Sequence, residues 1–252
     1  MSTWVLLRGL TRESRHWGEF PARLQSRFAN SNVVALDLPG NGRLNAQRSP
    51  ASIEAMADVY RVALRERGLP PPYRLLAMSM GAMVALAWAR DQPQELEGCV
   101  LISTSLRNFG AWHERLRPAN YTRLLGLMLR GSAIARERCI LDITTRHPGV
   151  PRAALLEDWA RWRSEHPVAR INALRQLWAA ARFSLPQGKP PVPLLVLVGD
   201  ADSLVDPRCS VRMADAWAAV LQAHPSAGHD LPLDDAAWVV DAIAHWLRPS
   251  LG

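Results

Sequence analysis

The 252-residue sequence contains few cysteines and no long apolar segment. Its three cysteines, Cys99, Cys139 and Cys209, are odd in number and lack the C-x-x-C spacing, which argues against a disulfide framework and a zinc site. The longest charge-free apolar run, residues 75–89, is too short to span a bilayer. The apolar segment at the N-terminus stops at Arg8, well short of a secretory signal. We therefore expect a cytoplasmic protein without metal, disulfides or a membrane-spanning segment.

Lysine is almost absent, and the positive charge that arginine supplies is unevenly distributed. The chain carries a net charge of +7, and Lys189 is its single lysine. Between residues 104 and 190, fifteen basic residues face six acidic ones, a net charge of +9, whereas the rest of the chain carries −2. Such a segment can attract an anionic substrate, carrier or surface, although ordinary solvated helix faces are the favoured explanation. The arginines form no recognition motif, so no nucleic acid partner is expected.

Short apolar runs alternate with helical patterns at both ends of the chain. The runs are apolar throughout rather than at every second residue, which is typical of strands that helices cover on both faces. A strand and helix alternation of this kind favours a doubly wound, mostly parallel sheet of about six strands. The predicted strands are residues 3–8, 33–37, 73–78, 98–103, 193–199 and 220–224.

The alternation stops between residues 104 and 190, where we predict an all-helical insertion. Prolines separate four segments that carry helical spacing, and no strand-like run occurs among them. An insertion between two strands of an open sheet lies over the carboxyl edge, where such sheets bind ligands. We therefore predict a core of residues 1–103 and 191–252 and a helical cap, or lid, of residues 104–190. The four predicted helices are residues 120–130, 132–145, 151–165 and 167–182.

Ser79 stands where the third predicted strand runs directly into an alanine-rich helix. A turn this tight forces its central residue toward positive φ and requires small neighbours two positions away. Ala77 and Gly81 are those neighbours. The turn lifts the hydroxyl clear of the sheet and directs helix N-terminal N–H groups toward it, which suits a nucleophile. A serine N-cap explains the same residues, so this stretch alone leaves both interpretations open.

Two further residues extend the pattern. A serine hydroxyl becomes a nucleophile only when a base removes its proton, and that base needs a carboxylate to orient it. Asp202 follows the fifth predicted strand and His229 follows the sixth. Because parallel strands end at the same edge of a sheet, we expect both residues to lie close to Ser79.

The order Ser, Asp, His is that of the α/β-hydrolase superfamily, which the chain resembles over essentially its full length. Many members of this superfamily carry an antiparallel hairpin before the oxyanion-loop strand. No such hairpin is recognised in this sequence, so the resemblance implies a six-stranded sheet. Five motifs carry the resemblance, in the family's order. They are Leu6-Leu7-Arg8-Gly9-Leu10 at the oxyanion loop, Asp37-Leu38-Pro39-Gly40-Asn41-Gly42 as the D-x-P-G-x-G turn, Ala77-Met78-Ser79-Met80-Gly81 as the nucleophile elbow, Gly199-Asp200-Ala201-Asp202 as the acid loop, and Gly228-His229 at the base.

The resemblance implies a catalytic role for each matching residue. Ser79 would be the nucleophile of a catalytic triad, His229 the general base and then acid, and Asp202 the carboxylate that orients it. The backbone N–H groups of Leu10 and Met80 would form the oxyanion hole.

Several positions depart from the pattern or compete with these assignments. Arg8 replaces the usual histidine of the oxyanion loop, and we expect it to be a salt-bridged structural residue. Asp200 and Asp206 flank Asp202, but the family's spacing favours Asp202. His224 lies within the last predicted strand and is expected to be structural.

Together these features predict a serine hydrolase that cleaves a carboxylic ester or thioester through an acyl-enzyme, without a cofactor. Trp17 and Trp112 fall where the walls of the substrate pocket are expected. The basic cap would suit an anionic carrier of the acyl group, such as coenzyme A or an acyl carrier protein. Alternatives are a lyase or synthase on the same fold, similar to the cyclohexadiene-carboxylate synthases of menaquinone biosynthesis, an acyltransferase, a ligand receptor, or a membrane binder that uses residues 121–145. The substrate and the oligomeric state stay open.

Overall fold

The computed structural model describes residues 2–129, 131–185 and 188–248. Its strands are β1 (Thr3–Leu7), β2 (Asn32–Leu36), β3 (Tyr73–Met78), β4 (Leu96–Ile102), β5 (Leu194–Gly199) and β6 (Val220–His224). They form one parallel sheet with the order β2-β1-β3-β4-β5-β6. The predicted six-stranded parallel sheet is confirmed, and every predicted strand agrees with the structure to within two residues at each end.

Helices surround this sheet. They are α1 (Phe20–Arg27), α2 (Ile53–Glu66), α3 (Met80–Asp91), α4 (Trp112–Arg115), α5 (Tyr121–Leu129), α6 (Ala133–Thr144), α7 (Arg152–Glu165), α8 (Arg170–Arg182), α9 (Arg208–Ala216), α10 (Leu231–Asp234) and α11 (Ala236–Trp246). Within the described ranges, none of them combines the length and the hydropathy needed to cross a bilayer.

The sheet buries apolar side chains on both of its faces. Val5 and Leu75 point into one layer, where residues of α2, α3 and α9 pack against them. Trp4, which precedes Val5, and Leu76, which follows Leu75, point into the opposite layer, where residues of α1 and α11 pack against them. Because successive side chains of a strand alternate between faces, uninterrupted apolar strands are what two helical layers require.

Helices α4 to α8 form the insertion between β4 and β5, which we call the helical insertion. The four helices predicted there from spacing correspond to α5, α6, α7 and α8, each one to three residues shorter than predicted. Arg130, at the end of the first prediction, lies outside the described residues. The division into a core and a cap at residues 104 and 190 stays a prediction.

The order of the strands identifies one position at the carboxyl end of the sheet as a candidate site. Strand β1 has β2 on one side and β3 on the other, so the chain reverses its direction across the sheet after β2, and the point of reversal lies between β1 and β3. Open α/β sheets bind ligands outside the carboxyl ends of the strands at such a reversal. Leu7 at the end of β1 pairs with Ala77 near the end of β3. Gly9 and Ser79 therefore leave the sheet side by side at this position.

Candidate active site

Ser79 occupies a strained turn between β3 and α3. Its backbone has φ of 56° and ψ of −120°, a conformation that non-glycine residues rarely adopt. The turn is held from both sides: the N–H of Ser79 donates to the carbonyl of Ile102 at 2.9 Å, and the hydroxyl of Thr104 donates to the carbonyl of Ser79 at 3.1 Å. Strain of this kind persists only where the surroundings impose it, and it is concentrated at functional sites.

The structure explains why the neighbours of Ser79 are small. A Cβ atom on Gly81 would collide with the carbonyl oxygens of Leu7 and Arg8 at the end of β1. A Cβ atom on Gly9 would lie 3.1 Å from the Cβ of Ser79. Any larger side chain at either position would push the turn away from β1. The close approach of these two backbones places the loop after β1 directly against Ser79.

That loop is a tight turn whose backbone is also constrained. The N–H of Arg12 donates to the carbonyl of Gly9 at 3.2 Å, and Thr11 has a positive φ of 57°. Leu10, the predicted donor of an oxyanion contact, lies between them. On the other side, Met80 is the first residue of α3, and the N–H groups of a first helical turn have no partner within their own helix. Both predicted donors therefore belong to segments adjacent to Ser79.

Asp202 and His229 meet as a buried pair. Nδ1 of His229 lies 2.7 Å from Oδ2 of Asp202, and their side chains are only 3% and 1% exposed. The other carboxylate oxygen of Asp202 accepts hydrogen bonds from the N–H groups of Leu204 at 2.8 Å and Val205 at 3.0 Å. A carboxylate on Nδ1 favours the tautomer that keeps the proton there and leaves Nε2 as an acceptor. The pair is thus arranged to take up a proton at Nε2.

The neighbouring acids and the second histidine have other partners. Asp206 accepts from the backbone N–H and the guanidinium of Arg208, and Asp200 is exposed. His224 accepts from the N–H of Ala227 at 2.9 Å through Nδ1, which ties the strand to the following loop. Of the three acids Asp200, Asp202 and Asp206, only Asp202 has a hydrogen bond to His229 within the part of the chain that the structure describes.

Arg8 forms a buried ion pair, as the sequence led us to expect. Its guanidinium donates to both carboxylate oxygens of Asp230, at 2.6 and 3.2 Å, and both side chains are 3% exposed. The guanidinium also lies over the ring of Trp17, 4.7 Å from its centroid. Since Asp230 directly follows His229, the pair joins the loop after β1 to the loop that holds His229. Two-point arginine contacts fix orientation as well as distance.

Gln176 of α8 makes a second contact to the same loop, which no sequence pattern indicated. Its Oε1 accepts from the N–H of Thr11 at 2.8 Å, and its Nε2 donates to Asn41 at 2.8 Å and to Ser49 at 2.9 Å. The side chain is fully buried. One turn earlier, Asn172 accepts from the N–H of Ser49 at 3.0 Å. The helical insertion is therefore attached to the core through buried amides, one of which holds the loop that contains Leu10.

A buried charge cluster makes a second contact between this loop and the helical insertion. Glu137 of α6 is 1% exposed and forms ion pairs with Arg12, two residues beyond Leu10, and with Arg163 of α7. The guanidinium of Arg12 lies 4.1 Å from the ring centroid of Trp159. His16, also buried, contacts Arg12; burial and the nearby arginine charge lower the pKa of His16 well below its usual value, so it is neutral at physiological pH.

Replacing Glu137 by glutamine is expected to lower the free energy of unfolding by about 3–5 kcal/mol, because it leaves two buried arginines without a counter-charge. Arg12 and Arg163 outweigh the effect of burial and hold the pKa of Glu137 below its usual value. A lowered folded-state pKa stabilises the protein above the unfolded-state pKa of about 4.3 and loses that contribution as the pH falls. The difference between wild type and Glu137→Gln should therefore shrink in acid. Urea unfolding at several pH values measures it.

Asp142→Asn is the matched control for this prediction, since Asp142 lies on the same helix. It pairs with Arg152, but both side chains are about half exposed, at 51% and 41%. An exposed pair contributes about 0–1 kcal/mol. Equal losses in the Asp142 and Glu137 variants would contradict the view that the buried cluster holds the helical insertion to the loop.

The two tryptophans predicted to line the pocket occupy different environments. Trp17 is 4% exposed and lies beneath Arg8, with Phe20 5.7 Å away between ring centroids. Trp112 is 72% exposed on α4 and stacks on Tyr121 at 5.8 Å. A role in lining the substrate pocket stays a prediction for both.

Comparison with known proteins agrees with this architecture. A family model described as "Alpha/beta hydrolase family" matches residues 4–242. The curated protein named "Putative carbamate hydrolase RutD" of Variovorax paradoxus (strain S110) is 28% identical over 228 residues, which cover 83% of this chain and 78% of that protein. The uncharacterized protein YbdG of Bacillus subtilis (strain 168) is 29% identical over 84 residues, 33% of this chain, and the match spans only 26% of its own length.

A solved structure gives the same result for the fold. The thermophilic esterase of Thermogutta terrifontis superimposes on 98% of this chain and 90% of its own with a TM-score of 0.75. Its sequence identity of 23% is low enough that the similarity shows the fold alone. The family model, in contrast, covers nearly the whole sequence with its own residue pattern. The chain therefore belongs to the alpha/beta hydrolase family.

Proposed function

We propose that this protein is a serine hydrolase that cleaves a carboxylic ester or thioester through an acyl-enzyme at Ser79. The observation that carries the proposal is the buried contact of 2.7 Å between His229 and Asp202, at the sheet edge where Ser79 holds its strained turn. A histidine fixed in this way is a general base, and a serine lifted from the sheet is the group it would activate. The name of the Variovorax relative, which refers to hydrolysis of a carbamate, supports acyl chemistry of the same kind.

The reaction proceeds in two halves. In the first, Oγ of Ser79 attacks the carbonyl carbon while Nε2 of His229 takes its proton, and Asp202 stabilises the imidazolium that forms. The N–H groups of Leu10 and Met80 donate to the oxyanion of the tetrahedral intermediate. His229 then gives the proton to the departing alcohol or thiol, which leaves the acyl-enzyme. In the second half, water attacks the acyl carbon while His229 removes its proton. The bond between the acyl carbon and Oγ of Ser79 then breaks, His229 returns the proton to Oγ, and the carboxylic acid leaves.

Labelling with a fluorophosphonate tests the nucleophile directly. The reagent phosphonylates an activated serine and loses fluoride, so the intact mass of the wild-type protein should rise by one adduct, and peptide mapping should find it on Ser79. The Ser79→Ala protein should stay unlabelled. An adduct on a different serine, or ester hydrolysis that persists in a protein without any adduct, would refute the proposal.

Gln176→Met is expected to lower kcat for ester hydrolysis by about tenfold to a hundredfold with a smaller change in KM. Loss of an oxyanion donor costs about a hundredfold to a thousandfold, and a misplaced donor costs part of that. Methionine keeps the approximate volume of glutamine but removes the acceptor that holds the N–H of Thr11, next to Leu10. Steady-state kinetics with a series of p-nitrophenyl esters separates kcat from KM.

Asn172→Leu is the control for Gln176. It removes a buried amide of the same helix that binds Ser49 and that, among the described residues, has no hydrogen bond to the loop containing Leu10. Both variants weaken the attachment of α8, so a comparable loss of stability is expected from each. A fall in kcat that is the same in both would mean that Gln176 acts only through the fold.

A further inference from the structure

Helix α8 presents an apolar face to solvent. Its large apolar side chains lie at spacings of three, three and one, which places them on one side of the helix. Each is between 42% and 58% exposed, although residues of this kind normally face a core at these spacings. We call this set the α8 face. It consists of Ile171, Leu174, Leu177 and Trp178.

The helix cannot turn this face inward. Its opposite side carries Asn172 and Gln176, whose buried amides bind the core through backbone and side-chain groups of Thr11, Asn41 and Ser49. Rotation of α8 would leave several buried polar groups without partners, at a cost of about 1–3 kcal/mol for each. The outward orientation of the α8 face is thus built into the attachment of the helix. A surface outside this chain must cover it if it is to be buried.

The charge around the α8 face indicates what that surface is. Helix α8 contains Arg170, Arg175 and Arg182 and no acidic residue. The guanidinium of Arg182 lies 4.9 Å from the ring centroid of Trp178, so a positive charge borders the apolar face. The segment from residue 104 to residue 190 carries +9. Two copies that met through this segment would bring like charges together, which opposes a dimer here.

Helix α4, which contacts the C-terminal end of α8, carries a second exposed tryptophan. The guanidinium of Arg115 donates to the carbonyl oxygens of Ala180 at 2.6 Å and Ala181 at 2.8 Å, which fixes α4 against the C-terminus of α8. Trp112, one turn before Arg115, is 72% exposed. Tryptophan and arginine beside an apolar helix face are the residues that helices use in the interface of a bilayer.

We propose that the α8 face docks this protein on a membrane surface that carries anionic lipids. The apolar side chains enter the boundary between headgroups and acyl chains, and Arg182 binds lipid phosphates. The membrane-binding role predicted as an alternative for residues 121–145 stays a separate prediction. Since Gln176 joins α8 to the loop beside Ser79, a docked protein holds its candidate active site close to the lipid. The proposal is independent of the reaction at that site.

Vesicle co-sedimentation with the full chain tests it. Wild-type protein should bind vesicles of phosphatidylcholine with phosphatidylglycerol much more strongly than vesicles of phosphatidylcholine alone, and salt should weaken the binding. The double variant Leu174→Gln/Trp178→Gln should bind the anionic vesicles about tenfold or more weakly, because it removes much of the apolar area that enters the lipid. Arg182→Gln should bind less strongly than wild type and show a smaller response to salt.

Val62→Gln/Val220→Gln is the matched control, since these valines are 48% and 47% exposed but lie on α2 and β6 of the core. It should bind like wild type. All variants change exposed side chains and should keep the wild-type Tm. The proposal is overturned if the wild-type protein does not bind anionic vesicles, or if the Leu174→Gln/Trp178→Gln and Val62→Gln/Val220→Gln variants bind them equally. It is also overturned if light scattering finds a dimer that the Leu174→Gln/Trp178→Gln variant does not form. Binding of an acidic carrier protein through the α8 face, without vesicle binding, would also overturn it.

Discussion

Replacing Ser79 by alanine is expected to lower kcat/KM for an activated ester by about six orders of magnitude, as loss of the nucleophile does in serine hydrolases whose triad acts as a unit. The residual rate would come from substrate binding and the oxyanion donors alone. Alanine keeps the Cβ atom, so the strained backbone at φ of 56° is unchanged and the fold should be retained. Hydrolysis of p-nitrophenyl esters by carefully purified protein measures the loss.

Ser103 provides an unusually close control. It follows β4, is 1% exposed, and like Ser79 has a positive φ, of 48°. Its hydroxyl has no hydrogen-bond partner among the described residues. Ser103→Ala removes a hydroxyl from the same kind of backbone position and should change kcat/KM by less than about threefold, since no step of the mechanism uses it. Comparable activity in the two alanine variants would contradict the role of Ser79.

The fold could be predicted because its determinants are local in the sequence. Apolar runs without alternation identified β1 to β5, and a positive φ at Ser79 followed from the abrupt change of strand to helix between Ala77 and Gly81. The loops that hold Asp202 and His229 could be placed together because parallel strands share their carboxyl edge, whereas the choice of Asp202 over its neighbouring acids rested on the family resemblance. For the same reason, a pair separated by 27 positions could be placed together without coordinates.

The contacts of the helical insertion could not be predicted, because they join polar residues far apart in the chain. Glu137 meets Arg12 across 125 positions and Gln176 meets Thr11 across 165, and no periodicity links such residues. For α8, the spacing of apolar residues alone would predict the wrong buried side. The apolar side chains of Ile171 and Leu174 are exposed, whereas the amides of Asn172 and Gln176 are buried. Hydrophobic spacing identifies a helix, but only its tertiary contacts decide which face is covered.

The Asp202→Asn variant is expected to lose about four orders of magnitude in kcat, although its fold should be intact. Oδ1 of Asp202 accepts two backbone hydrogen bonds, from Leu204 and Val205, and in the variant only the amide oxygen can take this position. The amide nitrogen is then directed at Nδ1 of His229, where the carboxylate was. Because that nitrogen is a donor, Nδ1 must become the acceptor and the ring proton must move to Nε2. In this tautomer His229 cannot take the proton of Ser79.

Asp200→Asn and Asp206→Asn are the controls that distinguish this effect from a general loss of charge near the site. Asp206 is bound by Arg208 and Asp200 is exposed, so neither variant should change kcat by more than about threefold. A large loss in Asp206→Asn with near-normal activity in Asp202→Asn would assign the carboxylate to Asp206. If Ser79, His229 and Asp202 act as one unit, combining Ser79→Ala with Asp202→Asn should add almost nothing to the loss caused by Ser79→Ala alone. Additive losses would instead mean that Asp202 contributes by a route that does not pass through the serine.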